Sequence, residues 1–141
     1  MIHRIGVAAL SSAFIAQLLK VLFDLLRTRR LNLLRFFDNG GMPSSHSSLA
    51  TTLVAGVWYD AGPQSSIFSI TLVFCMYFVF EAAGLRQEVG NQAKVLNDLV
   101  EEMRHTHHFN RDRLKELVGH TWGEVIGGVI VGLLVAWLVY R

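Results

Sequence analysis

The sequence predicts an all-α integral membrane bundle of about four transmembrane helices plus one amphipathic helix. Of 141 residues, 52% are hydrophobic and 17% charged, and the mean hydropathy is +0.38, too apolar for an ordinary soluble domain of this length. The apolar residues also gather into runs close to the roughly 20 residues a helix needs to cross a hydrocarbon core about 30 Å thick. The length suits a single membrane-embedded domain, 1–141. Thirteen Lys and Arg against eleven Asp and Glu give a net charge of +2, too small a bias to indicate nucleic-acid binding. The single cysteine, Cys75, has no partner for an intramolecular disulfide and reads as buried or lipid-facing.

The first run extends from about Ile5 to Leu26 and is uncharged as far as Leu19. It has no small-x-small exit and ends in Lys20, Asp24 and Arg27, so it reads as a retained span and not as a cleaved leader. The second follows Pro43 and ends near Tyr59; the third, Ser65 to Phe80, is uncharged; the fourth runs from Trp122 to Tyr140 and is uncharged after Glu124. Between the third and fourth, Gly84 to Arg104 carries Leu85, Val89, Leu96, Val100 and Met103 at helical spacing beside Glu88, Asn91, Gln92, Asn97, Asp98 and Glu101. That pattern predicts an amphipathic helix on the membrane surface or against the bundle. His105, His107 and His108 follow in a polar stretch without the Cys or carboxylate spacing of a metal site, and read as a solvated loop.

Positive residues mark the cytoplasmic side. Arg27, Arg29, Arg30 and Arg35 lie in the first loop, and Arg86, Lys94, Arg104, Arg111, Arg113 and Lys115 in the third, while Asp60 to Gln64 holds neither Lys nor Arg. The first and third loops are therefore expected in the cytoplasm, and both termini on the far side of a bacterial inner membrane.

Ionisable residues at membrane depth are functional candidates by default. Gln17, Lys20, Asp24 and Arg27 recur at three- and four-residue spacing and share one side of the first helix; taken alone, snorkelling and an Asp24 pair with Arg27 or Lys20 account for them. The second span opens Asn39-Gly40-Gly41-Met42-Pro43-Ser44-Ser45-His46-Ser47-Ser48. Its proline suits a first helical turn, its hydroxyls and backbone N–H groups suit an anion, and His46 can carry a proton near neutral pH. The fourth opens Gly119-His120-Thr121-Trp122-Gly123-Glu124. Thr121 and Glu124 fit a capping box, and His120 and Glu124 are four apart, so on a continuous helix the carboxylate could orient the imidazole as a nucleophile.

Lys20-x6-Arg27, Pro43-Ser44-Ser45-His46 and His120-x3-Glu124, in that order, resemble the three signature motifs of the type 2 phosphatidic acid phosphatase superfamily, which includes vanadium haloperoxidases and bacterial acid phosphatases. GGMPSSHSS, GLRQEVGNQAKVLN and LKELVGHTWGEVIGG look like its small divergent membrane branch, found in bacteria and plastids. The resemblance implies that His120 attacks phosphorus to form a phosphohistidine, Glu124 orients it, and His46 protonates the leaving alkoxide. Lys20, Arg27, Ser44 and Ser45 would hold the phosphate oxygens, with no metal or other cofactor. The implied substrate is a lipid phosphate monoester or pyrophosphate, such as phosphatidylglycerophosphate, phosphatidate or an isoprenoid phosphate.

Thr28 stands where a proline usually follows the first motif, Ser45 where the wider superfamily has glycine, and Glu124 where it has aspartate. Six residues before His120, the usual arginine is replaced by Leu114; Arg86 is the expected substitute, with Arg113 and Lys115 next. Two further readings stand beside the enzyme: a catalytically inactive membrane protein that binds anionic lipid headgroups, and a scaffold or transporter subunit that packs through Gly119, Gly123, Gly127 and Gly128. Those glycines also suit packing within the fold or a homodimer of so thin a bundle.

Overall fold

The computed structural model describes residues 3–38, 40–106 and 121–141, without the side chains at 82–89, 102 and 104–106. Four α-helices form the described bundle: α1 (Arg4–Thr28), α2 (Ser45–Ala61), α3 (Ser66–Thr106) and α4 (Trp122–Tyr140), with a 3₁₀ turn, Leu33–Phe37, between α1 and α2. Helices α1 and α4 are long and apolar enough to cross a membrane. At 1.5 Å per residue α1 spans about 37 Å and the shorter α2 about 25 Å.

The ends follow local chemistry. Arg29 adopts the left-handed conformation (φ 55°) and closes α1 with an N–H bond to the Leu25 carbonyl. Ser44 caps α2, whose last turn closes on Gly62 at φ 77°, a backbone angle that favours glycine. Pro43 thus lies ahead of the cap, outside the first helical turn where the sequence pattern put it. Thr121 caps α4 by accepting the Glu124 N–H. Thr121 is extended (φ −67°, ψ 150°) and α4 begins at Trp122; the expected helical spacing of His120 and Glu124 involves His120, which lies outside the described residues.

A larger correction concerns α3. The apolar run and the amphipathic segment are one continuous helix of 41 residues, about 60 Å long. The amphipathic part is therefore an extension of the third apolar run and not a separate helix. Among its described side chains Ala93 and Asn97 are buried, whereas Val95, Leu96, Leu99 and Met103 are exposed. Cys75 is buried.

Helix α2 contacts each of the other three helices, while α1 also meets α4. The interior is made of small side chains: Ala8, Ala9, Ser12 and Ala16 from α1, Ala50 and Thr52 from α2, and Ala136 from α4 are buried. Large apolar side chains such as Phe14, Leu22, Ile70, Phe74 and Leu134 face outward. In lipid, leucine gains nothing by turning inward, so helix association rests on close backbone approach and interhelical hydrogen bonds. Both occur here. A Cβ at Gly128 would overlap the Ser44 carbonyl oxygen and lie 2.7 Å from Ser47 Cβ; one at Gly132 would lie 2.6 Å from the Ser48 carbonyl oxygen. Across the same seam Thr52 Oγ1 donates toward the Gly132 carbonyl at 3.0 Å, and Ser48 Oγ donates to the Ser12 carbonyl on α1 at 3.2 Å. Of the glycines expected to pack, Gly127 meets Met42 and Pro43, Gly123 meets only Thr121 Oγ1 among the described residues, and Gly119 lies outside the described residues.

At the end of the bundle away from Ser44, Asp60 on α2 bonds Arg4 on α1 and lies 3.5 Å from His3 Nε2. Tyr59 stacks on Tyr140, whose ring also lies under the Arg4 guanidinium. The Arg4 hydrogen bond holds the Asp60 carboxyl below its ordinary value, against a smaller opposing effect of burial. A lowered folded-state value stabilises above the ordinary carboxylate pKa of about 4 and is lost as pH falls through the lowered value. The thermal midpoint of wild type should therefore exceed that of Asp60→Asn from pH 7 down to about 5, with the gap closing below about pH 4; a gap independent of pH would contradict this tether.

Candidate active site

The described parts of the three motifs meet at one end of the bundle, and backbone contacts bring them there. Lys20 is 3% exposed, its Nζ donating to the Asp38 carbonyl at 3.0 Å. Its alkyl stem lies along Gly41, where a Cβ would come within 3.3 Å of Lys20 Cδ. Gly41 also has φ 104°, so glycine serves both the turn and the passage of the lysine. The first motif is thereby set against the loop that leads into the second.

Second and third motifs are joined directly. The Ser44 N–H donates to the Glu124 carbonyl at 2.9 Å, and the Ser44 carbonyl lies against Gly128. Ser44 is thus held on both sides by the first two turns of α4. Its hydroxyl accepts from the Ser47 N–H at 3.3 Å and from Ser47 Oγ at 3.1 Å.

These bonds divide the labour among four serines that the sequence left undivided. Ser44 caps, Ser47 supports the cap, and Ser48 reaches α1. Ser45, the first residue of α2, is the one whose hydroxyl makes no hydrogen bond among the described residues. It sits where a helix presents backbone N–H groups without intrahelical acceptors and the positive end of its dipole. His46 follows, half-buried, with its ring 5.6 Å from that of Phe78 on α3. Glu124 is the third residue of α4, half-buried, where a capping-box carboxylate reaches back over the helix start toward the residues that precede it.

Arg27 is placed differently from Lys20. It is exposed at the last turn of α1 and makes no ion pair among the described residues. The expected Asp24 pairing is corrected too: Asp24 meets Arg35 Nε at 3.4 Å, and Arg35 Nη1 meets Asp38 Oδ2 at 3.2 Å. This chain straps the 3₁₀ turn to α1 and holds Asp38, whose carbonyl receives Lys20. Sequence reasoning missed it because the partner lies eleven positions on, in a loop that folds back. Gln17, half-buried on the same helix, keeps a buried Oε1 without a hydrogen bond.

His120, Leu114, Arg113, Lys115 and the histidines at 107 and 108 lie outside the described residues, as do the side chains of Arg86 and His105. Among the described residues no group of three His, Cys, Asp or Glu side chains is arranged for a metal ion.

Comparison with known proteins places the chain in a family. No solved structure matches the chain significantly. The uncharacterized membrane protein YuiD of Bacillus subtilis is 34% identical, with the alignment covering 90% of this chain and 87% of the relative. Residues 2–135 match the divergent PAP2 family, and the chain belongs to that family.

Proposed function

We propose that this protein is a membrane phosphatase that hydrolyses a lipid phosphate monoester or pyrophosphate through a phosphohistidine intermediate. The observation that carries the reading is the Ser44 N–H bond to the Glu124 carbonyl, which sets Ser45 and His46 beside the start of α4 while Gly41 and Asp38 hold Lys20 at the same end. Phosphoryl transfer asks chiefly for positioning and for positive charge around the equatorial oxygens. Lys20 supplies a charge, the first turn of α2 supplies N–H donors and the Ser45 hydroxyl, and Arg27 supplies a second cation once its exposed side chain turns inward.

His120, adjoining the Thr121 cap, attacks phosphorus while the bond to the leaving oxygen breaks. His46 gives its proton to that oxygen. Water then attacks the phosphohistidine, its proton returning to His46, and phosphate leaves with His120 restored. Glu124, reaching back over the cap, holds the His120 ring. Arg86 on α3 stands in for the arginine replaced by Leu114. Four spans, formed by α1, α2, the first half of α3 and α4, put this end in the cytoplasm by the distribution of Lys and Arg, giving access to newly made phosphatidylglycerophosphate, phosphatidate or an isoprenoid phosphate. The replacement at Leu114 favours one second reading, an inactive member that keeps the pocket to bind anionic headgroups.

Purified wild type should release phosphate from at least one lipid phosphate in mixed micelles without added metal, and His120→Ala should lower the rate on the order of 10³-fold or more. No release by folded wild type from any lipid tested would favour the headgroup-binding reading.

His46→Ala should cost about 10²- to 10⁴-fold on an alkyl phosphate, the range for a lost general acid. It should cost far less on a nitrophenyl ester, whose leaving group needs no proton; equal losses on both would remove His46 from that role.

In a Cys75→Ser background, a cysteine replacing Gln64 should react with an impermeant maleimide added to intact cells, and one replacing Leu31 only after permeabilisation. The reverse labelling would put the site on the outer face.

A further inference from the structure

A second lipid-facing feature lies beside this site but on another side of α1. An open groove of about 410 Å³ runs between the second half of α1 and the loop that follows, floored by Leu18, Val21, Leu22 and Leu25 and walled by Leu33 and Phe36. Phe36 is fixed by edge contacts with Phe14 and Phe37. The Arg35 pairs with Asp24 and Asp38 hold the wall against α1, so the groove is formed before anything enters it. Around it, Leu34 is 77% and Phe37 79% exposed. Surfaces so apolar are suited to acyl chains and not to water.

The charge beside the groove is as one-sided as its lining is apolar. Arg29 and Arg30 follow α1 directly and are exposed, and neither pairs with a carboxylate among the described residues. With Arg27 they make a basic cluster at the end of an apolar helix, the arrangement that draws anionic headgroups. At 100° per residue, the groove face of α1 lies about 160° around the helix from Lys20 and Arg27. A chain lying in the groove therefore belongs to a lipid other than the one whose phosphate would react.

We propose that this groove binds one acyl chain of an anionic phospholipid whose headgroup is held by Arg29 and Arg30, a resident lipid site separate from the candidate active site. It seats the 3₁₀ turn in the bilayer interface and steadies the strap that positions Asp38 and Lys20. The inference does not depend on phosphatase activity.

The test is native mass spectrometry of the full chain released from detergent after titration with phosphatidylglycerol or phosphatidylcholine of identical chains. Wild type should retain phosphatidylglycerol at least tenfold more tightly. Arg29→Gln with Arg30→Gln should weaken phosphatidylglycerol roughly 25-fold, about fivefold per arginine, and leave phosphatidylcholine unchanged. Leu22→Trp, which fills the groove from a half-exposed position and spares the interior, should weaken both lipids with the thermal midpoint retained. Equal retention of the two lipids by wild type, or phosphatidylglycerol retention unchanged in either variant, would overturn the proposal.

Discussion

The approach of α4 to α2 at Gly128 and Gly132, with no side chain between the backbones, is the contact on which the rest of the bundle depends. It lets the Ser44 N–H reach the Glu124 carbonyl and Thr52 reach the carbonyl of Gly132. Widening the seam by one methyl group would lengthen both bonds together. The candidate site is therefore an extension of a packing contact: the residue that caps α2 is gripped by the helix that carries the third motif.

This arrangement suits a bundle in lipid. Ser12, Ser44, Ser47, Ser48 and Thr52 fill the interior with small polar groups, each spending its hydroxyl on a backbone carbonyl or a neighbouring hydroxyl. Measured hydrogen bonds between membrane helices average only about 0.6 kcal/mol. No single one holds the bundle; those of Ser48 to the Ser12 carbonyl and of Thr52 to the Gly132 carbonyl cross between helices and set the register in which they meet. Lys20 is the exception in charge. It is buried among α1, the Gly41 turn and Asp38, with its ammonium group on the Asp38 carbonyl.

Much of the fold was legible because the membrane constrains the sequence so strongly. Trp122 and Tyr140 bound α4 as its apolar run indicated, and α1 extends only slightly beyond Ile5 to Leu26. The length of α3 was hidden by charge: Glu81, Arg86 and Glu88 end the apolar run, yet such residues favour helix, and Gly84 alone costs only about 1 kcal/mol relative to alanine. Of the candidate site, the placement of Lys20, Ser45, His46 and Glu124 at one end could be read from motif order and span parity. The Asp24, Arg35 and Asp38 strap could not, because helical periodicity stops at Arg29. Nor could the duties of the individual serines be separated, since each depends on which neighbouring helix lies opposite. Gly132 left a signal that went unused, its four-residue spacing from Gly128.

The central claim is that backbone contact between α2 and α4 sets the geometry of the motif end, and the unfolding free energy of two alanine variants in detergent tests it most directly. Gly128→Ala places a methyl group against the Ser44 carbonyl, which does not yield, and should cost about 1–3 kcal/mol as overpacking does. Gly123→Ala, five residues earlier and with only Thr121 Oγ1 at 3.9 Å among the described residues, should be neutral or stabilising by up to about 1 kcal/mol through helix propensity. Equal stability of the two variants would contradict the account.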